Sequence, residues 1–283
     1  VSAAPNTSID AYFDLVGQPA PGGPSLAGLA RLQLGHIMAI PFENLNPLAG
    51  LTVPLDIPAL LDKFTHRRGG YCFEHNLLYR HALDTLGYRT TPLLARVRVN
   101  AAPGVVTPRT HMLLLVEVEG ERWLSDTGFG KATPTAPLRL VPGEAQSTPH
   151  GVYRLVPEGD AGDSFLLETD AGDGWAPLYA FESRPAYPVD FEMSNWYVST
   201  HPASHFTRDL IAVRTVANGR HVLHNARYSF YAVDGTATRK ELATPAALVH
   251  LLENTFGLAA GSVPGLGAKL SEIVSPRGEG FER

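Results

Sequence analysis

An α+β fold is what the sequence predicts, with helices first, strands in the middle and both types mixed at the end. Three observations support it. Apolar residues recur at helical spacing up to about residue 90, alternation and β-branched residues take over from about 90 to 200, and the remainder carries both hairpin turns and a capped helix. The chain has 283 residues, 44% hydrophobic and 18% charged, a composition that suits one folded protein of two or three subdomains with a sizeable core.

In the first stretch Ser25 caps a helix carrying Leu26, Leu29, Leu32 and Leu34, which ends before Pro41. Asp56 caps a shorter helix with Pro58 in its first turn, running through Leu60, Leu61 and Phe64. Gly69-Gly70 then break the chain before a third helix that opens at Cys72. Its apolar positions 73, 77, 83 and 86 keep a helical period, and Gly87 stops it. In the second stretch Leu93 to Val99 and His111 to Val118 read as strands, and a tight turn at Gly120 leads into Arg122–Asp126. A further hairpin is expected around Ala171-Gly172-Asp173-Gly174. In the third stretch Asn218-Gly219 is a hairpin turn between Ile211–Val216 and His221–His224, and Asp234-Gly235 is another. Thr244-Pro245 opens a helix through Leu248, Leu251, Leu252 and Phe256 that ends at Gly257. These changes of pattern divide the chain into 1–90, 91–200 and 201–283.

Net charge is -5, which gives no electrostatic reason for nucleic acid or an anionic membrane as partner. Apolar runs such as Leu113–Val116 are too short to span a bilayer, and no signal-peptide pattern opens the chain. A single cysteine rules out an intramolecular disulfide and argues against a cysteine-based zinc site. His201 and His205 are four apart in a loop setting, so no metal is expected there. The expected location is cytoplasmic, and the sequence leaves the oligomeric state open.

A thiol is a good nucleophile only as thiolate, and its ordinary pKa of about 8.5 leaves little thiolate at neutral pH. A helix N-terminus and a neighbouring imidazole both favour the charged form. Cys72 has the first, and the preceding glycines would let backbone and substrate approach the sulfur. His111 and Asp126 lie on opposite arms of the hairpin turning at Gly120. With Glu119-Gly120 as the turn, Asp126 falls opposite Leu113; with Gly120-Glu121, opposite Leu115. Either register puts His111 and Asp126 on one face, and the nearer makes them diagonal neighbours about 7–8 Å apart at the backbone. A carboxylate there can orient the imidazole, which can hold Cys72 as thiolate. On spacing alone the plainer readings stay open: a lone cysteine as a small buried hydrophobe, and a strand-end aspartate as a turn former.

The wording around these residues is more specific. Arg68-Gly69-Gly70-Tyr71-Cys72-Phe73-Glu74-His75-Asn76 resembles the active-site motif of arylamine N-acetyltransferases. Ile40-Pro41-Phe42-Glu43-Asn44-Leu45 resembles the N-terminal signature of that family. Thr110-His111 stands in the place of its histidine, and Asp126-Thr127-Gly128-Phe129-Gly130 in that of its aspartate motif. Asp190-Phe191, Asn195–Thr200 and Pro202–Phe206 follow in order, so the resemblance spans most of the chain. Thr127 departs slightly, since many members carry a small apolar residue after the aspartate.

The resemblance implies a papain-like cysteine core with an N-terminal helical bundle, a central β-barrel and a C-terminal α/β lid. It implies a catalytic set of Cys72, His111 and Asp126, acting in two steps. Acetyl-CoA first acylates the thiol, and an arylamine, arylhydrazine or N-hydroxyarylamine then takes the acetyl group. Carried over by position, Phe42, Phe129 and Phe206 would line an apolar acceptor pocket, with Thr110 and Gly128 beside the thioester. No tightly bound cofactor is expected, only acetyl-CoA as donor substrate. Two other activities fit the same triad: an amide synthase closing a polyketide macrolactam, and a cysteine hydrolase or transglutaminase. No G-x-S-x-G elbow or H-E-x-x-H helix occurs, and Gly265-Leu266-Gly267 lacks the setting of a dinucleotide fingerprint.

Overall fold

The computed structural model describes residues 9–275 apart from 20–21, 103 and 160–161. The first part is built on α1 (Ile9–Val16), α2 (Leu26–Ala39), α3 (Leu45–Leu48), α4 (Ile57–Thr65) and α5 (Cys72–Thr85), with a two-residue strand β1 (Phe42–Glu43) between α2 and α3. The expected caps are made. Ser25 Oγ accepts from Gly28 N at 3.1 Å and Asp56 Oδ1 from Ala59 N at 3.0 Å, each satisfying an N–H that the first helical turn leaves without a partner. Gly87 follows α5 with φ +84°, a conformation glycine adopts without strain. The short helix α1 was not expected. Its Tyr12, Phe13 and Val16 are buried in the helical core, so tertiary packing holds eight residues that would not be helical alone.

The central part is an eight-stranded antiparallel, barrel-like sheet in the order β5-β4-β3-β2-β9-β8-β7-β6. Its strands are β2 (Arg89–Val97), β3 (Arg109–Val118), β4 (Glu121–Ser125), β5 (Leu138–Arg139), β6 (Gln146–Thr148), β7 (Gly151–Pro157), β8 (Ser164–Asp170) and β9 (Trp175–Glu182). The edge strands β5 and β6 are joined by a side chain: Gln146 Oε1 accepts from Arg139 N at 2.7 Å, and its Nε2 donates to Arg139 O at 2.9 Å. Strand β3 is buried on both faces. Leu113 and Leu115 face the barrel core, whereas Met112, Leu114, Val116 and Val118 join the helical core. That double burial explains the unbroken apolar run at 112–116.

Helix α6 (Pro188–Thr200) leads to a second antiparallel sheet, ordered β1-β10-β11-β12-β13. Its remaining strands are β10 (Ile211–Val216), β11 (Gly219–His224), β12 (Arg227–Ala232) and β13 (Ala237–Glu241), followed by α7 (Pro245–Asn254) and α8 (Leu266–Val274). Leu210, Ala212 and Leu223 pack with Leu248, Leu252 and Leu270 in a third core. The turn expected at Asn218-Gly219 forms one residue earlier, at 217–218. Gly219 is already paired with Ala232, and a Cβ on it would lie 2.3 Å from Tyr231 O. Helix α6 had no clear period in the sequence, because Phe191 and Val198 are buried while Val189, Met193 and Trp196 are exposed on the opposite side. Among the described residues no helix is long and apolar enough to cross a membrane.

Candidate active site

Cys72 is the first residue of α5 and is 5% exposed. The two glycines that precede it leave no room for a side chain. A Cβ on Gly69 would lie 1.9 Å from Pro41 O, and one on Gly70 2.6 Å from Glu74 Oε2. Their bare backbone is thus needed for packing against β1 and against the cap of α5. The cap is completed by Glu74, whose Oε2 accepts from Tyr71 N at 3.0 Å.

The hairpin of β3 and β4 takes the nearer of the two expected registers. Val118 pairs with Glu121 and Leu114 with Ser125, so the turn is Glu119-Gly120, with φ +54° and +79°. Asp126 follows β4 directly, on the face of His111. The imidazole Nε2 donates to Asp126 Oδ2 at 2.7 Å, with both side chains buried. Cys72 Sγ lies 3.6 Å from the carbonyl oxygen of Thr110, the residue before His111. With Nε2 committed to Asp126, Nδ1 is the ring nitrogen left for the thiol.

Asp126 is held by four donors. Besides His111 they are Asn76 Nδ2 at 3.0 Å and Gly128 N at 2.8 Å on Oδ1, and Tyr179 OH at 2.9 Å on Oδ2. Burial would push this carboxyl up, but attraction to His111 and these hydrogen bonds hold it below the ordinary aspartate value. Burial would likewise lower His111. The Asp126 carboxylate, its hydrogen bond and the neighbouring Cys72 outweigh that and raise the imidazole from 6.5 to about 9. His111 is accordingly an imidazolium at neutral pH, the form that stabilises a thiolate beside it.

Asn76 stood in the quoted motif without a role. It lies four residues after Cys72, hence on the same helical face, and its Nδ2 also donates to Met112 O at 2.8 Å while its Oδ1 accepts from Thr127 N at 3.1 Å. It therefore clamps the helix to both arms of the hairpin, and its spacing was the available clue. Tyr179 was not singled out. It comes from β9, 53 residues from Asp126, and no local pattern announces it.

Gly128 sits against Cys72: a Cβ there would be 2.7 Å from Cys72 Cα and 3.1 Å from Asn76 Nδ2. The three phenylalanines are half-buried and fall into two groups. Phe129 meets the His111 ring edge-on with centroids 4.7 Å apart, and Phe42 and Phe206 lie 6.2 Å apart. Phe206 also stacks on Tyr71 at 5.5 Å, next to the thiol in sequence. Behind α5 runs a buried polar chain. Pro41 O can only accept, so His75 Nε2 carries the proton toward it; His75 Nδ1 then accepts from His36 Nε2, and His36 Nδ1 from Tyr12 OH. Burial lowers both imidazoles, His75 to about 4, so this chain is neutral.

A family model described as N-acetyltransferase matches residues 25–262. The chain is 40% identical to the arylamine N-acetyltransferase of Mycobacterium tuberculosis over 94% of each chain. It is 38% identical to the arylamine N-acetyltransferase / N-hydroxyarylamine O-acetyltransferase of Salmonella typhimurium over 90% of each. Among solved structures, the Mycobacterium marinum arylamine N-acetyltransferase in complex with CoA superposes with a TM-score of 0.88 at 36% identity, covering 95% of this chain and 100% of that one. The expected α+β architecture is therefore the one these relatives share.

Proposed function

Because the chain belongs to the arylamine N-acetyltransferase family and is an acyltransferase, we propose that it carries the acetyl group as a thioester on Cys72, with His111 and Asp126 completing the catalytic set. Acetyl-CoA is the donor substrate, and an arylamine, arylhydrazine or N-hydroxyarylamine is the acceptor. The observation that carries this reading is the buried His111–Asp126 pair, 2.7 Å long, beside a thiol that opens α5.

In the first step the Cys72 thiolate attacks the thioester carbonyl carbon. The tetrahedral oxyanion faces the first turn of α5, whose N–H groups lack intrahelical acceptors. The carbon–sulfur bond to CoA breaks, and the His111 imidazolium gives its proton to the departing thiolate. In the second step the amine attacks the acetyl-enzyme, His111 takes a proton from its nitrogen, and Cys72 leaves as thiolate. Asp126 keeps Nε2 protonated throughout, so Nδ1 is the nitrogen that exchanges the proton. Phe42, Phe129 and Phe206 supply apolar surface for the acceptor ring, while Gly128 and Thr110 leave room at the thioester. The division at about residues 90 and 200 belongs to the same proposal: the nucleophile comes from the first part and its two partners from the second.

Incubation with acetyl-CoA should add one acetyl mass to Cys72, read by intact mass and peptide mapping, and an arylamine or hydrazine should discharge it. Cys72→Ser should abolish both events. Failure of the wild type to acylate from acetyl-CoA, with acylation from carrier-linked chains instead, would replace this reading with the amide synthase.

A further inference from the structure

Asn44 lies in the Ile40–Leu45 stretch, outside the triad and the three phenylalanines. It stands at the N-cap position of α3, where asparagine is among the best caps, yet its side chain makes no capping bond. Glu43 Oε2 holds the Leu45 N–H instead. The fully buried Asn44 amide turns to the segment that joins α6 to β10. There Nδ2 donates to Phe206 O at 2.8 Å and to Asp209 O at 2.6 Å, and Oδ1 accepts from Ile211 N at 2.7 Å. Two donors and an acceptor are required from one planar group, which is what the amide of asparagine supplies.

Phe206 sits on a single 3-10 turn, His205–Thr207, a structure too short to hold itself in place. Its N–H meets Ser204 Oγ at 3.3 Å, and its carbonyl oxygen is fixed from outside the turn by Asn44. Farther along, the same segment has a second clamp. Asn225 Oδ1 accepts from Leu210 N at 2.9 Å, and Asn225 Nδ2 donates to Asp209 Oδ1 at 3.0 Å. Strand β10 is itself paired with β1 and β11, so its place in the sheet does not depend on the Asn44 amide. Asn44 instead links the strand that carries Phe42 to the turn that carries Phe206. Those two rings lie 6.2 Å apart, and Phe206 stacks on Tyr71.

We propose that Asn44 is a positioning residue for acceptor recognition: it sets the Phe206 ring opposite Phe42, so that an aromatic amine meets a formed pocket wall. This inference rests on Cys72 as the acyl carrier and on these rings as acceptor surface. The Asn44 amide bonds to none of Cys72, His111 and Asp126, so its effect belongs to the second step and to aromatic acceptors. A buried amide that only secured β1 against β10 would affect every acceptor alike.

The test generates acetyl-enzyme with acetyl-CoA and discharges it, in a second rapid mixing, with aniline or with hydrazine. It compares the wild type, Asn44→Ala, Phe206→Ala and the double variant. In Asn44→Ala, discharge by aniline below saturation should slow about tenfold, through a higher half-saturating concentration. Hydrazine, too small to use the rings, should stay within about twofold. Phe206→Ala should slow aniline about tenfold, and the double variant should be no slower than Phe206→Ala, because Asn44 acts through that ring. Three results overturn the inference: equal slowing of both acceptors in Asn44→Ala, a double variant slowed by the product of the single effects, or an unchanged aniline rate in Phe206→Ala. Should Asn44→Ala fail to fold, Asn44→Asp takes its place in the same cycle. It keeps the shape and the acceptor for Ile211 N but sets an oxygen against two carbonyl oxygens, and the same selective loss is expected. A wild type that takes no acetyl group from acetyl-CoA sinks the proposed function and this inference with it. A wild type that completes both steps, with both acceptors slowed alike in the variant, sinks the inference alone.

Discussion

Replacing Asp126 by asparagine isolates what the carboxylate does. Oδ1 accepts from Asn76 and Gly128, so the amide oxygen takes that place and the new NH2 faces Tyr179 and His111. The tyrosine hydroxyl can turn to accept. His111 can meet the NH2 only with an unprotonated Nε2, which forces the remaining proton onto Nδ1, where it blocks proton transfer from the thiol. Acylation should therefore fall on the order of a thousandfold or more, although shape is nearly unchanged.

The same variant carries a stability signature. A rise of the His111 pKa from 6.5 to about 9 corresponds to about 3 kcal/mol of preference of the native state for the imidazolium. Because the folded value is the higher one, this contribution is fully present below 6.5 and lost as pH rises through about 9. The lowered carboxyl of Asp126 describes the same pair from the acid side, is lost only as pH falls below the ordinary aspartate range, and is not added to it. In Asp126→Asn burial is opposed only by Cys72, the lesser of the two raising influences, and most of the alkaline loss disappears. Urea unfolding at pH 6.5, 8 and 10 should show the wild type losing about 3 kcal/mol more than the variant across that range. Parallel stability curves, agreeing within about 1 kcal/mol, would refute the claim that the carboxylate holds His111 charged.

Three further outcomes are expected. Gly128→Ala places a methyl 2.7 Å from Cys72 Cα, so the loop or the start of α5 must move; we expect about 1–3 kcal/mol of lost stability in a thermal melt and at least roughly tenfold slower acetyl-enzyme formation. Tyr179→Phe keeps the ring against His111 and Phe129 but removes one charge-assisted hydrogen bond, and rapid-mixing acylation should slow about tenfold with the acid limb of the pH–rate profile moved upward. Phe42→Ala should leave acylation by acetyl-CoA within about threefold of wild type and slow discharge by an arylamine about tenfold, as loss of an aromatic contact implies; equal effects on both steps would remove Phe42 from the acceptor pocket.

Much of the candidate site is legible in the sequence because its parts are local. Cys72 is announced by the glycines before its helix, and His111 with Asp126 by hairpin parity, which needs only the turn at Glu119-Gly120 and a two-residue repeat. Asn76 is a borderline case: its spacing from Cys72 was visible, but its two acceptors, on β3 and just after β4, are brought near only by the fold. Tyr179 marks the limit. Its contact with Asp126 depends on β9 lying beside β2, a pairing between strands some eighty residues apart that no turn residue specifies. The same physics hid β6 and β7, whose burial is shared with neighbours, and α6, which shows apolar residues on both sides. The reason for Gly69 and Gly70 was also out of reach, since the atoms that exclude a side chain belong to Pro41 and Glu74.

Strand β3, packed against helices on one side and barrel on the other, is a wall common to two cores. Neither core can lose its order without exposing the inner side of the other, so the two should melt in one cooperative event. The proposed catalytic set straddles that wall, with Cys72 on the helical side and His111 and Asp126 on the hairpin. Any opening therefore parts sulfur from base before either region is lost. A partly unfolded molecule is left with an ordinary, slow cysteine, not a misdirected acyl carrier, and the competence of the thiol becomes a property of the intact fold alone.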